Sequence, residues 1–362
     1  MTGRVTSDLL LVGSLPTPSA EEGFRAGAGF VGDLVPALPD GEAGPLGAWV
    51  GFDRTHLLEP HPDLRVLEPT GSPTGRARHA YETARLTVRD GVESLRFDAW
   101  PRVPVMLESY ALFRRLRSEG VIAADQRFQV NFPFPSSVFT GAFKDHYAHD
   151  WSIVGPALED LTRRSIDEVL ATIPAHDLAL QFDLAYEVLD NEQVLGWTEG
   201  GVAGAWDRFG GPWSRLAPHV PEDVLLGLHL CYGTFPEWPM FEARDMGLLV
   251  RMANHARAHA GRPLDWLHLA GPRYLRSEDE AFFAPLAGLH VPDTRVFLGI
   301  VLPLDGEEGL RRRHATASRY LHDFGVAMYC GFGRRPGQDP AETLREHAAV
   351  VRGGLSRRHP AR

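Results

Sequence analysis

The sequence predicts an α/β fold, a single (β/α)8 TIM barrel, from three observations. Short, nearly continuous apolar runs alternate with helical patterns along the chain. Eight such runs occur, and no disordered linker separates them. Runs of this kind are strands covered on both faces by helices, which implies a parallel sheet. Eight of them favour a closed barrel over an open doubly wound sheet. The 362 residues suffice for one large barrel or two smaller domains.

Leu9–Ser14 is the first strand. Ser19 then caps a helix with Glu21 and Glu22 in its first turn, running to about Val35. Ala37–Glu42 is the second strand with a turn-rich tip. From Gly51 to Pro101 the pattern is less regular. Ala84–Arg89 and Ser94–Trp100 read as a β-hairpin around Asp90-Gly91, an excursion after strand two. Val105–Ser118 is helical. Strands follow at Arg127–Asn131, Leu178–Leu184, Val224–Tyr232, Leu264–Leu269, Arg295–Leu302 and Gly325–Tyr329. Helices are expected at Glu159–Ala171, Met246–Ala260, Ser277–Ala287 and Glu308–Leu321. Gly196–His219 carries Trp197, Trp206 and Trp213 with six glycines, and is expected as a long loop at the barrel mouth. Its tryptophans would either line an aromatic pocket or pack the loop. Residues 1–353 form the barrel domain and 354–362 a basic, frayed tail.

The formal net charge of −10 argues against binding to nucleic acid or anionic membrane. No apolar run reaches the length of a membrane span. Leu9–Val12 is too short for a signal peptide, so the cytoplasm is the expected location. Two cysteines are too few to staple a secreted chain of this size. Cys231 and Cys330 are then either inert core thiols or chemically employed ones.

In a barrel the site is built at the C-terminal ends of the strands. The polar residues there are Ser14, Asp40, Glu42, Asn131, Asp183, Glu187, His229, Cys231, His268, Arg273, Asp305 and Cys330. Both cysteines of the chain fall in this set. His229 and Cys231 are two apart on one strand and share a face. Thiolate sulfur and imidazole nitrogen are good zinc donors, and a catalytic zinc site keeps a position open. Arg273, like the Arg334-Arg335 pair, suits a carboxylate or phosphate. Surface salt bridges would satisfy these arginines equally well.

Several segments resemble the catalytic C-terminal barrel of cobalamin-independent methionine synthase. Leu228-His229-Leu230-Cys231-Tyr232 resembles its "HMCY" strand, and Cys330-Gly331-Phe332-Gly333-Arg334-Arg335 its "CGLKxR" segment. Val12-Gly13-Ser14-Leu15-Pro16 is similar to "IGSFP", Asp40-Gly41-Glu42 to "HGE", and Gln181-Phe182-Asp183 to the "QIDEPA" strand. The matches fall in order along nearly the whole chain. The His-x-Cys…Cys pattern is also similar to thiol alkyltransferases of the wider uroporphyrinogen-decarboxylase-like superfamily. The resemblance implies zinc on His229, Cys231 and Cys330, with Ser14, Glu42 and Asp183 holding an amino-acid-like thiol. Three positions depart from that family. Its glutamate zinc ligand falls at about Ala270, with His268 nearby as a substitute. Its acid histidine falls near Val301. Its folate-stacking tryptophan has no counterpart in Pro135–Thr140.

The leading expectation is a zinc-dependent methyl or alkyl transferase acting on a thiol. Its donor would be a methylated corrinoid, with a corrinoid protein as partner, or a small methylated metabolite rather than folate. A second is a metal-free lyase or decarboxylase, with Asp183 and His268 as catalytic acid–base groups beside Glu42 and His229. A third is a non-catalytic small-molecule-binding barrel.

Overall fold

A computed structural model describes residues 5–68, 85–234, 240–272, 279–302, 306–334 and 339–355. Among these residues the strands are Leu9–Leu10 (β1), Ala37–Pro39 (β2), Leu64–Glu68 (β3), Arg85–Val88 (β4), Arg127–Pro133 (β5), Leu178–Leu184 (β6), Leu225–Leu230 (β7), Trp266–Ala270 (β8), Arg295–Val301 (β9) and Gly325–Met328 (β10). Eight of them form one parallel sheet in the order β1-β10-β9-β8-β7-β6-β5-β2. β1 and β2 end that order. Just past them, the Leu15 N–H donates to the Gly41 carbonyl at 2.9 Å. The sheet is thus a nearly closed barrel of the expected α/β kind.

Every residue of β6, β7 and β9 is buried. This is why these strands read as continuous apolar runs rather than alternating ones. The alternation survives in what faces the barrel interior. At the base, Leu10, Ala37, Ala179, Leu225, Trp266 and Phe297 form an apolar cluster. Two residues further along β6 and β8 the interior turns polar, at Gln181 and His268. The N-terminal end is closed by arginines. Arg127 donates to the Ala175, Leu178 and Asp223 carbonyls. Arg295 reaches Ser7 O and the carboxylates of Asp8 and Asp323.

Ser19 caps the first helix, Ala20–Val31, by accepting from Glu22 N, as the sequence predicts. Three segments differ from expectation. Strand β4 falls within the expected Ala84–Arg89 run, but it pairs antiparallel with the upstream β3. Ser94–Trp100 forms no strand, and its Trp100 instead donates Nε1–H to buried Asp53 at 2.7 Å. Asp53 also pairs with Arg102, so the chain after the excursion is pinned by a buried ion pair rather than by a strand. The helix Tyr147–Thr172 begins twelve residues before the expected Glu159 and tolerates Pro156 inside it.

The third difference is the tryptophan-rich segment. Gly201–Leu216 is a helix, not a loop. Its buried residues Ala205, Arg208, Phe209, Pro212, Trp213 and Leu216 recur at helical spacing. Burial of that face outweighs a glycine cost of about 1 kcal/mol per interior position. Trp213 is fully buried and donates Nε1–H to Ala256 O at 2.8 Å. Trp206 packs on His255 and Phe209, and Trp197 donates to Thr140 O. The three tryptophans serve packing.

Two short helices, Pro135–Thr140 and Tyr186–Asn191, meet beside the exit of β6. Ser136 Oγ and Ser137 Oγ donate to the two oxygens of buried Glu187 at 2.5 and 2.6 Å. Burial nevertheless raises the Glu187 carboxyl to about 7, the two seryl hydrogen bonds opposing it. The folded chain keeps this proton where an unfolded glutamate, near 4.5, releases it. Unfolding between those values therefore releases a proton, and stability falls by about 3 kcal/mol as pH rises through the window. Glu187→Gln should flatten this slope, read as urea midpoints at pH 5 and pH 8. Equal slopes in both proteins would show that Glu187 does not titrate this way.

Candidate metal and substrate site

Strand register sets the site. Asp183 on β6, His229 on β7 and His268 on β8 are partners across the ladder, so their side chains form one row. Cys231 follows His229 one pleat further. Its backbone N–H donates to Leu184 O, which continues the strand direction past β7. Cys330 lies just beyond β10, which pairs with β1. One ligand atom each from His229, Cys231 and Cys330 lies within 4.8 Å of the others. His229 and Cys231 are buried, and Cys330 is half-buried.

These donors suit zinc. Bonds of 2.3 Å to sulfur and 2.0–2.1 Å to nitrogen place tetrahedral donors roughly 3.5–4 Å apart. His229 Nδ1 is engaged by His268 Nδ1 at 2.6 Å. That leaves Nε2, a buried atom that faces the Cys330 thiol and makes no well-formed hydrogen bond among the described residues. The thiols press on each other: Cys330 first, then burial, pushes the Cys231 thiol well above its usual value. Burial pulls the His229 imidazole down, but the Cys330 sulfur and the Asp183 and Glu42 carboxylates turn the net shift upward. Two crowded thiols and a histidine surrounded by negative charge form a set that a divalent cation relieves, with release of protons.

The His229, Cys231 and Cys330 cluster opens onto a cleft at the barrel mouth. Ser14, Glu42, Asn131, Asp183, His229, Cys231 and Cys330 all line it, as the sequence reading grouped them. Ser14 is buried and its Oγ has no hydrogen-bond partner among the described residues. Gly331 makes this possible: a Cβ there would stand 2.1 Å from Ser14 Oγ. Glu42 sits at φ +49, in the left-handed region that a non-glycine residue seldom adopts. Its backbone N–H donates to Asp40 Oδ1 at 2.8 Å, and Ser109 holds the other Asp40 oxygen. Asp40 therefore shapes the turn from behind while Glu42 faces the cleft.

Asp183 is held by amides. Asn131 Nδ2 donates to Oδ2 at 3.1 Å and Gln181 Nε2 to Oδ1 at 2.8 Å. Gln129 supports Asn131 from below, and Trp266 Nε1 donates to Gln181 Oε1. Burial raises the Asp183 carboxyl to about 6, against the His229 charge and the Gln181 hydrogen bond. No arginine or lysine lines the cleft among the described residues. Its apolar wall includes Trp49, Val50, Tyr186 and Met240. Sequence reasoning missed these four. Trp49 lies at φ +50, between two short helical segments that have no periodic signature.

His268 does not line the cleft. It lies behind His229, fully buried, with Nε2 2.7 Å from Met328 O. It is placed neither as a metal donor nor as a group touching substrate. Glu187 is sealed beneath Ser136 and Ser137. Arg273, Asp305 and Arg335 lie outside the described residues, as do 356–362 of the expected tail. No helix among the described residues is long and apolar enough to cross a membrane.

No family model matches this chain, and no curated protein matches it. Solved structures do. One is a B12-independent methionine synthase from a Shewanella species in complex with selenomethionine. It matches at TM-score 0.57 and 13% identity, over 97% of this chain and 99% of that one. Another, from Listeria monocytogenes, is provisionally named a vitamin-B12-independent methionine synthase. It matches at TM-score 0.53 and 14% identity, over 92% and 85% of the two chains. The chain therefore shares the barrel of this class of protein, as its motifs suggested. Neither likeness lends support to a corrinoid donor or a corrinoid-protein partner.

Proposed function

We propose that this protein is a zinc-dependent methyl or alkyl transferase that acts on an amino-acid-like thiol. The observation that carries the reading is the His229, Cys231 and Cys330 cluster, its donors within 4.8 Å of one another at the C-terminal mouth of the barrel. These three residues would hold the ion. Zinc there supplies a Lewis acid that keeps a substrate thiol deprotonated at neutral pH. The Shewanella protein is a complex with selenomethionine, which supports an amino-acid-like ligand for this chain.

The protein's own groups would do the rest. Glu42 and Asp183 offer two carboxylates to a substrate ammonium, and Ser14 Oγ offers a hydroxyl to its carboxylate. Trp49, Val50 and Met240 exclude water from the reacting sulfur. The donor is a small methylated compound, since the folate-stacking tryptophan of the resembling family has no counterpart here.

The test is a panel of thiols, homocysteine among them, offered to zinc-loaded protein with methylated donors. Thioether formation that ceases on chelation and returns with zinc is the expected result. Turnover untouched by chelation would instead favour metal-free acid–base chemistry. One observation supports that second reading: a cleft carboxyl, Asp183, raised to about 6, in the range of general acids and bases.

A further inference from the structure

His268 is a fully buried, polar ring inside the barrel that the cleft does not use. An apolar residue would pack there without a desolvation cost. Its hydrogen bonds give it a direction. A carbonyl only accepts, so His268 Nε2, 2.7 Å from Met328 O, carries a hydrogen. A neutral imidazole has one N–H, and this one is committed to Met328. The hydrogen between the rings, where the two Nδ1 atoms stand 2.6 Å apart, then belongs to His229. With its hydrogen on Nδ1, the neutral His229 ring presents a bare Nε2 toward Cys231 and Cys330.

We infer that His268 is a positioning residue: it fixes the His229 tautomer and ring orientation that make Nε2 a metal donor. The inference rests on the zinc reading above. Metal-binding histidines generally hand their second nitrogen to a carbonyl or carboxylate. Here a second imidazole relays that bond to a main-chain carbonyl. Two further features seat the relay. Gly299 on the neighbouring β9 has no room for a Cβ, which would stand 3.0 Å from His268 Nε2 and 2.8 Å from Tyr329 Cα. The register of β10 against β9 shifts between Val326 and Met328, the place where the Met328 carbonyl meets His268. His268 thus lies one pleat below Ala270 and does not replace the carboxylate ligand of the resembling family. The ion would have three protein donors.

The full-length, metal-free protein labelled with 15N-histidine gives the first readout, with His229 assigned by comparison with His229→Asn. Long-range proton–nitrogen spectra are expected to show hydrogen on Nδ1 of His229. His268→Phe keeps a ring of similar size and removes the acceptor. It is expected to mix the His229 tautomers and to weaken zinc binding 10–100-fold, measured by chelator competition. His268→Gln can both accept from His229 and donate to Met328, and should restore affinity to within about threefold of the parent. Hydrogen on Nε2 and none on Nδ1 in the neutral His229 ring of the parent, read at a pH above its imidazolium range, or undiminished zinc affinity in folded His268→Phe, would overturn the inference. Failure of the parent to bind zinc would sink the transferase reading alone, because the metal-free spectrum still reports the tautomer. If His268→Phe does not fold, the parent spectrum and His268→Gln decide.

Discussion

Cys330→Ser is expected to weaken zinc binding by two orders of magnitude or more, and Cys231→Ser to do the same. Structural sites with four ligands bind zinc with roughly 10–16 kcal/mol at pH 7, about 2.5–4 kcal/mol for each ligand. Losing one such share corresponds to roughly a hundredfold in affinity or more. Serine does not replace it, because its hydroxyl stays protonated where a zinc-facing thiol ionises. The measurement is zinc per chain after purification and chelator competition, with circular dichroism as the check on folding. Both single variants should fall well below the parent. The double variant should be little worse, since each single loss already opens the site. If the thiols are instead inert core residues, neither substitution changes metal content. Buried Cys231→Ser would then show only a lower melting temperature.

The barrel was legible because its strands are buried on both faces. Leu178–Leu184 and Leu225–Leu230 are near-continuous apolar runs in the sequence, and each is wholly buried in the fold. What the sequence concealed was non-local choice. Arg85–Val88 is a strand from its own residues, but its partner lies upstream at Leu64–Glu68. Buried Asp150 decides the place of that pair, accepting from Val88 N and Thr87 Oγ1. Nothing in the local pattern announces such a contact. Gly201–Leu216 misleads for the opposite reason: its glycines argue for a loop, while the stripe Ala205, Phe209, Trp213 and Leu216 makes it a packed helix.

The site divides in the same way. His229, Cys231 and Cys330 were visible because strand ends collect function and a two-residue spacing shares a face. Ser14, Glu42 and Asp183 were visible through motif resemblance, and the cleft brings them together. The place of His268 was not readable. Its role depends on its rank across the ladder beside His229 and on an irregularity in β10 that frees no signal in the sequence. Trp49 and Tyr186 were missed because helical segments of a few residues present no periodicity.

Asp183→Asn is expected to weaken binding of an amino-acid ligand by 10–100-fold, the worth of about 1.5–3 kcal/mol for a charge-assisted hydrogen bond. The fold should survive it. Asn131 Nδ2 and Gln181 Nε2, the two donors to Asp183, each also donate to Val12 O, at 2.8 and 2.7 Å. Losing one acceptor therefore leaves neither amide stranded. The pH dependence is the sharper readout. Asp183 is ionised above about 6, so an ammonium group finds its carboxylate partner at neutral pH and loses it as pH falls through that value. Affinity for homocysteine or methionine, measured by calorimetry from pH 5 to pH 8, should drop on the acid side in the parent. Asp183→Asn should be weak and flat across the same range, because the amide does not titrate. An unchanged acid limb in Asp183→Asn would move the titrating group elsewhere in the cleft, with Glu42, the other carboxylate on its wall, as the next residue to replace. Retained affinity with lost turnover would instead place Asp183 in proton transfer rather than in binding, and favour the metal-free reading of this site.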